Sequence, residues 1–339
     1  MHDVLKHPIR LALIGSLSAL LTACNALLGS PSQVTLPPCV NDDCNCGDFI
    51  SQALAQQVLD AYRGDPYKLD NDGNGQACES LPPQTPPLDP PSAVSNSPHL
   101  VLGNPSNANP SNPNNYLIER RQYALGYGRD RNLTQWVSWH LDASWLGNIE
   151  RQDNFRADEA LPKGFYRATP DDYRNSGYDR GHLLPSADRT ASRQDNSATF
   201  LMTNIVPQAP ENNRGTWREL EEYERDLVYQ YDRELYIMAG VYGTQGTVGR
   251  KAKITVPSRL WKVIVVLDQP GTGVSGVSSK TQIIAVDMPN QNTVDSDWRR
   301  YQTSIDSIEL ATGLDLLSSV PESVQAVVEA ETSKDQSSQ

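Results

Sequence analysis

Two rhythms of apolar residues run through the second half of the chain. In "QWVSWHL" (residues 135–141) apolar and polar positions alternate, as in a half-buried strand, which sets Val137, Trp139 and Leu141 on one face. "ELYIMAGVYG", "KITVPSRLWKVIVVLD" and "TQIIAVDMP" are rich in β-branched residues and bounded by Gly or Pro, so they also read as strands. In "TWRELEEYERDLVYQYDR" the spacing becomes helical, and Trp217, Leu220, Leu227, Val228 and Tyr231 make an apolar face. "DWRRYQTSIDSIELATG" reads as a second helix, stopping at Gly313. Strands with interspersed helices and no βαβ regularity predict an α+β domain on an antiparallel sheet.

The flanks follow other patterns. Lys6, His7 and Arg10 precede "LALIGSLSALLTAC", an apolar run too short to cross a bilayer comfortably, so residues 1–24 read as an export signal. Its end, Leu21-Thr22-Ala23-Cys24, resembles the lipobox of bacterial lipoproteins. That resemblance implies lipidation at Cys24 and an exported chain, anchored to the bacterial cell membrane or cell surface, or secreted. Setting Cys24 aside turns five cysteines into an even set, Cys39, Cys44, Cys46 and Cys78, in an oxidising compartment. No cysteine follows, so the large segment has neither a thiol nucleophile nor a thiolate metal site. The expected organisation is a cysteine-bearing segment at 41–81, a Pro-rich linker at 82–97, a large domain at 98–320 and a polar tail at 321–339.

Composition adds one constraint. The net charge of −12 argues against simple coating of nucleic acid, which rests on Lys and Arg contacts to phosphate. Residues 97–325 hold about 24 basic and 28 acidic side chains, however, so most of the excess lies in the flanks. A local phosphate site stays open.

Within 41–81, "LDNDGNGQACE" sets Asp70, Asp72 and Asn74 at alternating positions before Gly75, a spacing that aims oxygens at one centre as Ca²⁺ loops do. Position 81 is Leu and Glu79 comes two residues early, so this is not a standard EF-hand. The plain alternative is an Asx/Gly turn without an ion. With "CGDF", "SQALAQQVLDAY" and "ACESLP", the segment resembles the Excalibur domain, a small extracellular calcium-binding module. By that resemblance Ca²⁺ is expected at Asp70, Asp72, Asn74 and Glu79, and Cys46 pairs with Cys78, leaving Cys39 and Cys44 for each other.

The candidate chemistry begins at "YDRGHLLPSADR". Of five histidines, His2 and His7 lie in the signal, His99 at the linker edge and His140 within a strand, which leaves His182 as the candidate general base. Downstream stand Asn213, then Glu221 and Arg225 four residues apart on the predicted helix; upstream stands Arg151. Individually these could be a turn histidine and a solvated helix pair. Together they suit phosphoryl-ester cleavage: a base for water, arginines for phosphate charge, and an amide oxygen for a hydrated Mg²⁺. Such a set would be a poor Zn²⁺ site.

"YDRGHLLPSADR", "TFLMTNIVPQAPENNRGTWRELEEYER", "GNIERQDNFRAD" and "VPSRLWKVIVVL" resemble the DNA/RNA non-specific endonuclease family of the Serratia nuclease type. "HLVLGNPSNA", "NNYLIERRQYALGYG" and "ASWLGN" are similar to the sugar-non-specific nucleases of cyanobacteria. The resemblance covers about residues 98–320 and implies a ββα-metal fold. It implies His182 as general base, Asn213 as the direct ligand of one Mg²⁺ or Mn²⁺, and Glu221 as holder of metal-bound water. It also implies Arg225 and Arg151 on phosphate, Arg180 in substrate or site geometry, and a positional role for Asp179. The implied partners are single- or double-stranded DNA and RNA, cut to 5′-phosphates, a membrane through the lipid anchor, and a protein inhibitor; oligomeric state is left open. The rival reading is a membrane-anchored, calcium-dependent adhesion protein whose nuclease-like domain is inactive.

Overall fold

A computed structural model describes residues 45–46, 49, 52–62, 64–81, 97–250 and 253–332. Cys24, Cys39, Cys44, the signal and nearly all of the linker lie outside the described residues. In chain order the elements are α1 (Gln52–Ala61), β1 (Tyr116–Glu119), β2 (Ala124–Gly128), β3 (Leu133–Leu141), β4 (Asp179–His182), α2 (Arg193–Ala198), β5 (Ile205–Gln208) and α3 (Trp217–Tyr231). Then follow β6 (Glu234–Tyr242), β7 (Thr247–Val248), β8 (Ile254–Thr255), β9 (Arg259–Leu267), β10 (Gln282–Pro289), α4 (Ile305–Thr312) and α5 (Glu322–Val328).

Six strands form an antiparallel sheet in the order β1-β2-β3-β6-β9-β10, while β4 and β5 pair separately. The inner strands are covered on both faces, which is why β9, "RLWKVIVVL", is buried throughout and apolar save for Arg259 and Lys262, each paired with a carboxylate. Leu260, Ile264 and Val266 point to one layer, holding the β4–β5 pair and α3. Trp261, Val263, Val265 and Leu267 point to the other, filled by α4, Leu316, Leu317, Val328 and the strand-leading segment around Leu100 and Leu102. The expected α+β architecture and its ββα unit are therefore present: β4, β5 and then α3 follow one another on one face of the sheet.

Two tryptophans set the pairing of the inner strands. Trp136 on β3 stands opposite Gly126 on β2 and Gly240 on β6, and Gly240 stands opposite Trp261 on β9. A Cβ at Gly126 would come within 2.4 Å of Trp136 Nε1, and one at Gly240 within 2.5 Å of the Trp261 ring. These glycines leave room for indoles on neighbouring strands.

Three sequence expectations change. The single helix expected over 297–313 is a 3₁₀ turn, Trp298–Tyr301, and then α4, because Ser304 accepts the Ser307 N–H and restarts the helix. Tyr231 is 60% exposed and leaves the apolar face of α3, whereas Glu224 lies on that face with no exposure. His99 is not a linker-edge residue: it is buried, with Nδ1 accepting the His140 N–H at 3.1 Å and Nε2 at 2.8 Å from the Arg121 carbonyl.

The small N-terminal segment closes around Phe49, Ala55, Val58, Leu69 and Ala77, stapled by a disulfide between Cys46 and Cys78. In its loop, Asp70 accepts the N–H groups of Gly73, Asn74 and Gly75. Asn74 presents its amide nitrogen to Asp72 and Glu79, at 3.1 Å each. The four expected ligands thus share one turn, with Asn74 turned nitrogen-first.

Beneath the ββα unit lies a layer of buried charge. Lys262 of β9 bonds Glu224 of α3 at 2.8 Å, and neither side chain is exposed. Its ammonium also faces the rings of Trp217 and Trp139, at 4.5 and 5.6 Å. Arg225 bonds Asp188 at 3.0 Å, and Asp188 also accepts Trp139 Nε1 at 3.0 Å. Removing one partner of a buried pair strands the other charge, so Lys262→Met should cost about 3–5 kcal/mol. Pairing it with Glu224→Leu should restore most of that loss. Guanidinium unfolding of both single variants and the double provides the check; additive losses would show that the pair is uncoupled.

Candidate active site

Both strands of the β4–β5 pair are four residues long, too short to hold a site unaided. Register puts Asp179 opposite Gln208, Gly181 opposite Val206 and His182 opposite Ile205. A Cβ at Gly181 would lie 2.1 Å from Gln208 Oε1 and 2.6 Å from its Cβ, so the glycine of "DRGH" admits the Gln208 side chain. Beyond His182, Asn204 clamps the chain by accepting the Leu184 N–H at 3.0 Å and donating to the Leu184 and Thr199 carbonyls.

After β5 the backbone makes one wide π-type turn, Asn212–Thr216, kinked at Gly215, before α3 begins. Such turns displace a side chain relative to a regular helix. This one is bolted down: Asn212 bonds Gln208 and the Pro289 carbonyl, Asn290 accepts the Ala209 N–H, and Thr216 donates to the Asp295 carbonyl. Asn213, in the middle, donates its amide nitrogen to Asp179 Oδ2 at 2.9 Å. Arg214 forks onto the same carboxylate at 2.7 and 2.5 Å. Burial pushes the Asp179 carboxyl up, but the bonds from Arg214 and Asn213 outweigh it and hold the group below the usual range. An ionised Asp179 accepts only, so the Asn213 carbonyl oxygen must face away from it.

Arg151, Arg174, Arg180, Asp179 and Asn213 line a cleft of about 410 Å³ together with Phe155 and Tyr178. Arg180 lies 4.3 Å over the Phe155 ring and Arg151 4.7 Å over Phe200. Arg151 also donates to Ser186 Oγ at 2.9 Å, while neighbouring Arg156 is spent on the Ser197 and Asn154 carbonyls. His182 packs against the same two rings, 5.4 Å from Phe155 and 4.9 Å from Phe200. It is 8% exposed, and its Nε2 is buried without a hydrogen-bond partner. Burial first, then the charges of Arg151 and Arg180, depress its pKa to about 3, so the ring is neutral.

Glu221 and Arg225 project from α3 into the charge layer below. Burial raises the Glu221 carboxyl to about 8, against the pull of Lys262 and Arg225 and with the push of Glu224 and Asp188. Arg225 is engaged with Asp188 rather than lining the cleft. The sequence reading therefore gathers Arg151, Asp179, Arg180 and Asn213 in the cleft, with His182 against the same rings, and sets Glu221 and Arg225 in the layer beneath. It missed Phe155 and Phe200, which form a three-ring cluster with the histidine, and Asp188, which holds Arg225; all three sit inside the stretches that carry the chemistry.

The donor set suits a hard divalent ion. An outward-facing amide oxygen and a half-buried carboxylate with a raised pKa are oxygen donors, and no thiolate is at hand. Among the described residues the groups able to ligate a metal as three acidic, His or Cys side chains do not include His182 or Glu221.

The sequence profile of the DNA/RNA non-specific endonucleases matches residues 103–323. A nuclease from Nostoc sp. (strain PCC 7120) is 51% identical over 255 residues, spanning 75% of this chain and 92% of that protein. Human mitochondrial endonuclease G is 30% identical over 213 residues, 58% of this chain and 68% of that one. A chain in the crystal structure of the EndoG/EndoGI complex aligns with a TM-score of 0.58 at 24% identity, over 71% of this chain and all of that chain, a likeness of fold.

The depressed pKa of His182 has a measurable sign. The unfolded chain protonates this ring near 6.5 and the folded one near 3, so its contribution is complete above 6.5 and is lost as pH falls toward 3. Between pH 7 and pH 5 that single group should cost about 2 kcal/mol of stability in chelator. Urea unfolding of wild type and His182→Asn at the two pH values tests it: the variant should lose that much less, and equal losses would place the histidine in solvent.

Proposed function

Because the chain belongs to the DNA/RNA non-specific endonuclease family, an endonuclease, we propose that its cleft hydrolyses phosphodiester bonds of both DNA and RNA with a divalent metal, leaving 5′-phosphates. The observation that carries this reading is His182 Nε2: neutral, buried, unpartnered, and set beside two arginines. With the ring proton on Nδ1, Nε2 carries a lone pair free of other hydrogen bonds and available to take a proton from an attacking water. In the resting protein burial, and after it the charges of Arg151 and Arg180, keep the ring a weak base. A bound phosphodiester offsets both charges and lifts the ring's basicity when substrate is in place.

Arg151 and Arg180 supply the phosphate clamp, each resting over a phenyl ring. Arg174 extends the positive rim. Such contacts position a backbone without reading bases, which suits a nuclease indifferent to sequence and sugar. Asn213 would hold the Mg²⁺ or Mn²⁺ through its amide oxygen, with Glu221 receiving hydrogen bonds from the ion's waters. When bound, that ion supplies positive charge to the scissile phosphate and the leaving oxygen. Asp179 does not touch substrate in this reading; it keeps the Asn213 amide turned and the hairpin tied to the turn.

Three further parts of the reading are proposals of the same kind. Export with a lipid anchor at Cys24 rests on the lipobox-like end of the N-terminal run. Ca²⁺ in the 70–79 loop rests on four oxygen-bearing residues in one turn and requires the Asn74 amide to rotate. A protein inhibitor rests on the likeness of fold to a chain in the crystal structure of the EndoG/EndoGI complex, which concerns inhibition of EndoG.

Digestion of plasmid DNA and of RNA by the full chain, with Mg²⁺ and with EDTA, tests the function. Both substrates should be cut only with metal, and His182→Ala should slow cutting by about 10²–10⁴-fold with the fold intact. Cleavage that persists in EDTA, or a variant near wild-type rate, would refute the assignment.

A further inference from the structure

The face of the sheet away from the cleft carries a group of acids that the nuclease reading does not use. Asp306 lies in the first turn of α4, Glu309 on its next turn, and Glu329 follows the last residue of α5. Their carboxylate oxygens lie within 4.8 Å of one another. The Asp306 N–H donates to the Glu329 carbonyl at 3.0 Å, which joins the two chain segments at this point. Glu309 Oε1 accepts the Leu316 N–H at 2.6 Å.

Glu329 supplies the second observation. Its residue is 7% exposed, and its Oε1 is buried with no hydrogen-bond partner. A buried carboxylate oxygen without a donor is costly unless something positive meets it. Asp315 adds a further negative charge close by. Burial, with mutual repulsion, pushes Glu309 up to about 8 and Glu329 up to about 7, and the charges that bear on both are carboxylates.

We propose that Asp306, Glu309 and Glu329 bind a hard divalent cation of the Ca²⁺ class. Oxygens on opposite sides of a Ca²⁺ ion are about 4.6–5.2 Å apart, so donors within 4.8 Å of one another can share one ion. The donors are all carboxylate oxygens, with no imidazole or thiolate to favour Zn²⁺. Asp306 and Glu309 are half-buried, which lets water complete the shell. The ion ties α4 to the end of α5, whose Val328 is fully buried against the same core. It acts as a fastener of the C-terminal segment and takes no part in cleavage.

Calcium titration of metal-stripped full chain tests the site. The reference protein carries Asp70→Asn and Asp72→Asn, so that the N-terminal loop does not contribute, and is compared with the same chain bearing Glu309→Gln and Glu329→Gln. The reference should bind one equivalent of Ca²⁺ that the Gln variant lacks. At Ca²⁺ a hundredfold above its Kd, the reference Tm should rise by about 5–10 °C more than that of the variant. Plasmid cleavage with Mg²⁺ should be equal in both, as expected of folded proteins with the same cleft. Asp306→Asn, a smaller change, should weaken Ca²⁺ binding at least tenfold. Equal Ca²⁺ stoichiometry and equal Tm shifts in reference and Gln variant, or unchanged affinity in Asp306→Asn, would overturn the proposal.

Discussion

Lys262 places an ammonium with no solvent exposure on an inner strand of the six-stranded sheet, and the candidate catalytic face is arranged around that charge. A lone buried cation is prohibitively costly, so a partner must come from the layer above, and Glu224 of α3 provides it. That bond fixes the rotation of α3 about its axis. With Leu220, Glu224, Leu227 and Val228 turned to the sheet, Glu221 and Arg225 fall beside the same charge layer. Arg225 then meets Asp188, which also bears on the buried guanidinium of Arg189. Burial first, then the charges of Glu224 and Asp188, raise the Glu221 carboxyl to about 8 against the pull of Lys262 and Arg225, so the group holds its proton near neutral pH until a further cation approaches. A hydrophobic pair could hold helix to sheet as firmly, but it would not leave a carboxylate in this state.

The hairpin that carries the histidine depends on the same layer for support and on small clamps for its shape. Strands of four residues have little cohesion of their own. Gln208 fills the space above Gly181, Asn204 holds the chain beyond His182, and Asp179 ties strand to turn through Asn213 and Arg214. Each clamp holds a side chain near the cleft in one orientation before any ligand arrives. Pre-set orientation is what a hydrolase needs, because reorganisation during the reaction would add to the barrier.

How far the sequence foretells this can be argued residue by residue. β9 is legible because a strand buried on both faces is largely apolar, and its β-branched residues supply that, although Lys262 interrupts the run. β2, "ALGYG", is not, since its glycines count against a strand until Trp136 is seen lying across Gly126. The break before α4 is signalled only by a Ser304 cap, which a helical period running across it conceals. At the site, His182 and Asn213 stand out by residue type and spacing. The neutral state of the ring, the unpartnered Nε2 and the rotation of the Asn213 amide are products of tertiary burial and of a contact 34 residues away in sequence. Asp179 illustrates the limit: its place in the motif is evident from the chain, but its hold on Asn213 is a fact of the fold.

The account turns on a division of labour in which Asn213 takes the metal through its amide oxygen and His182 stays free to take a proton. Anomalous scattering from crystals soaked in Mn²⁺ tests that division directly. The account predicts an ion in the cleft seated on the Asn213 amide oxygen, with His182 outside its coordination shell. An ion ligated by His182, or a cleft that takes up no ion beside Asn213, would contradict it.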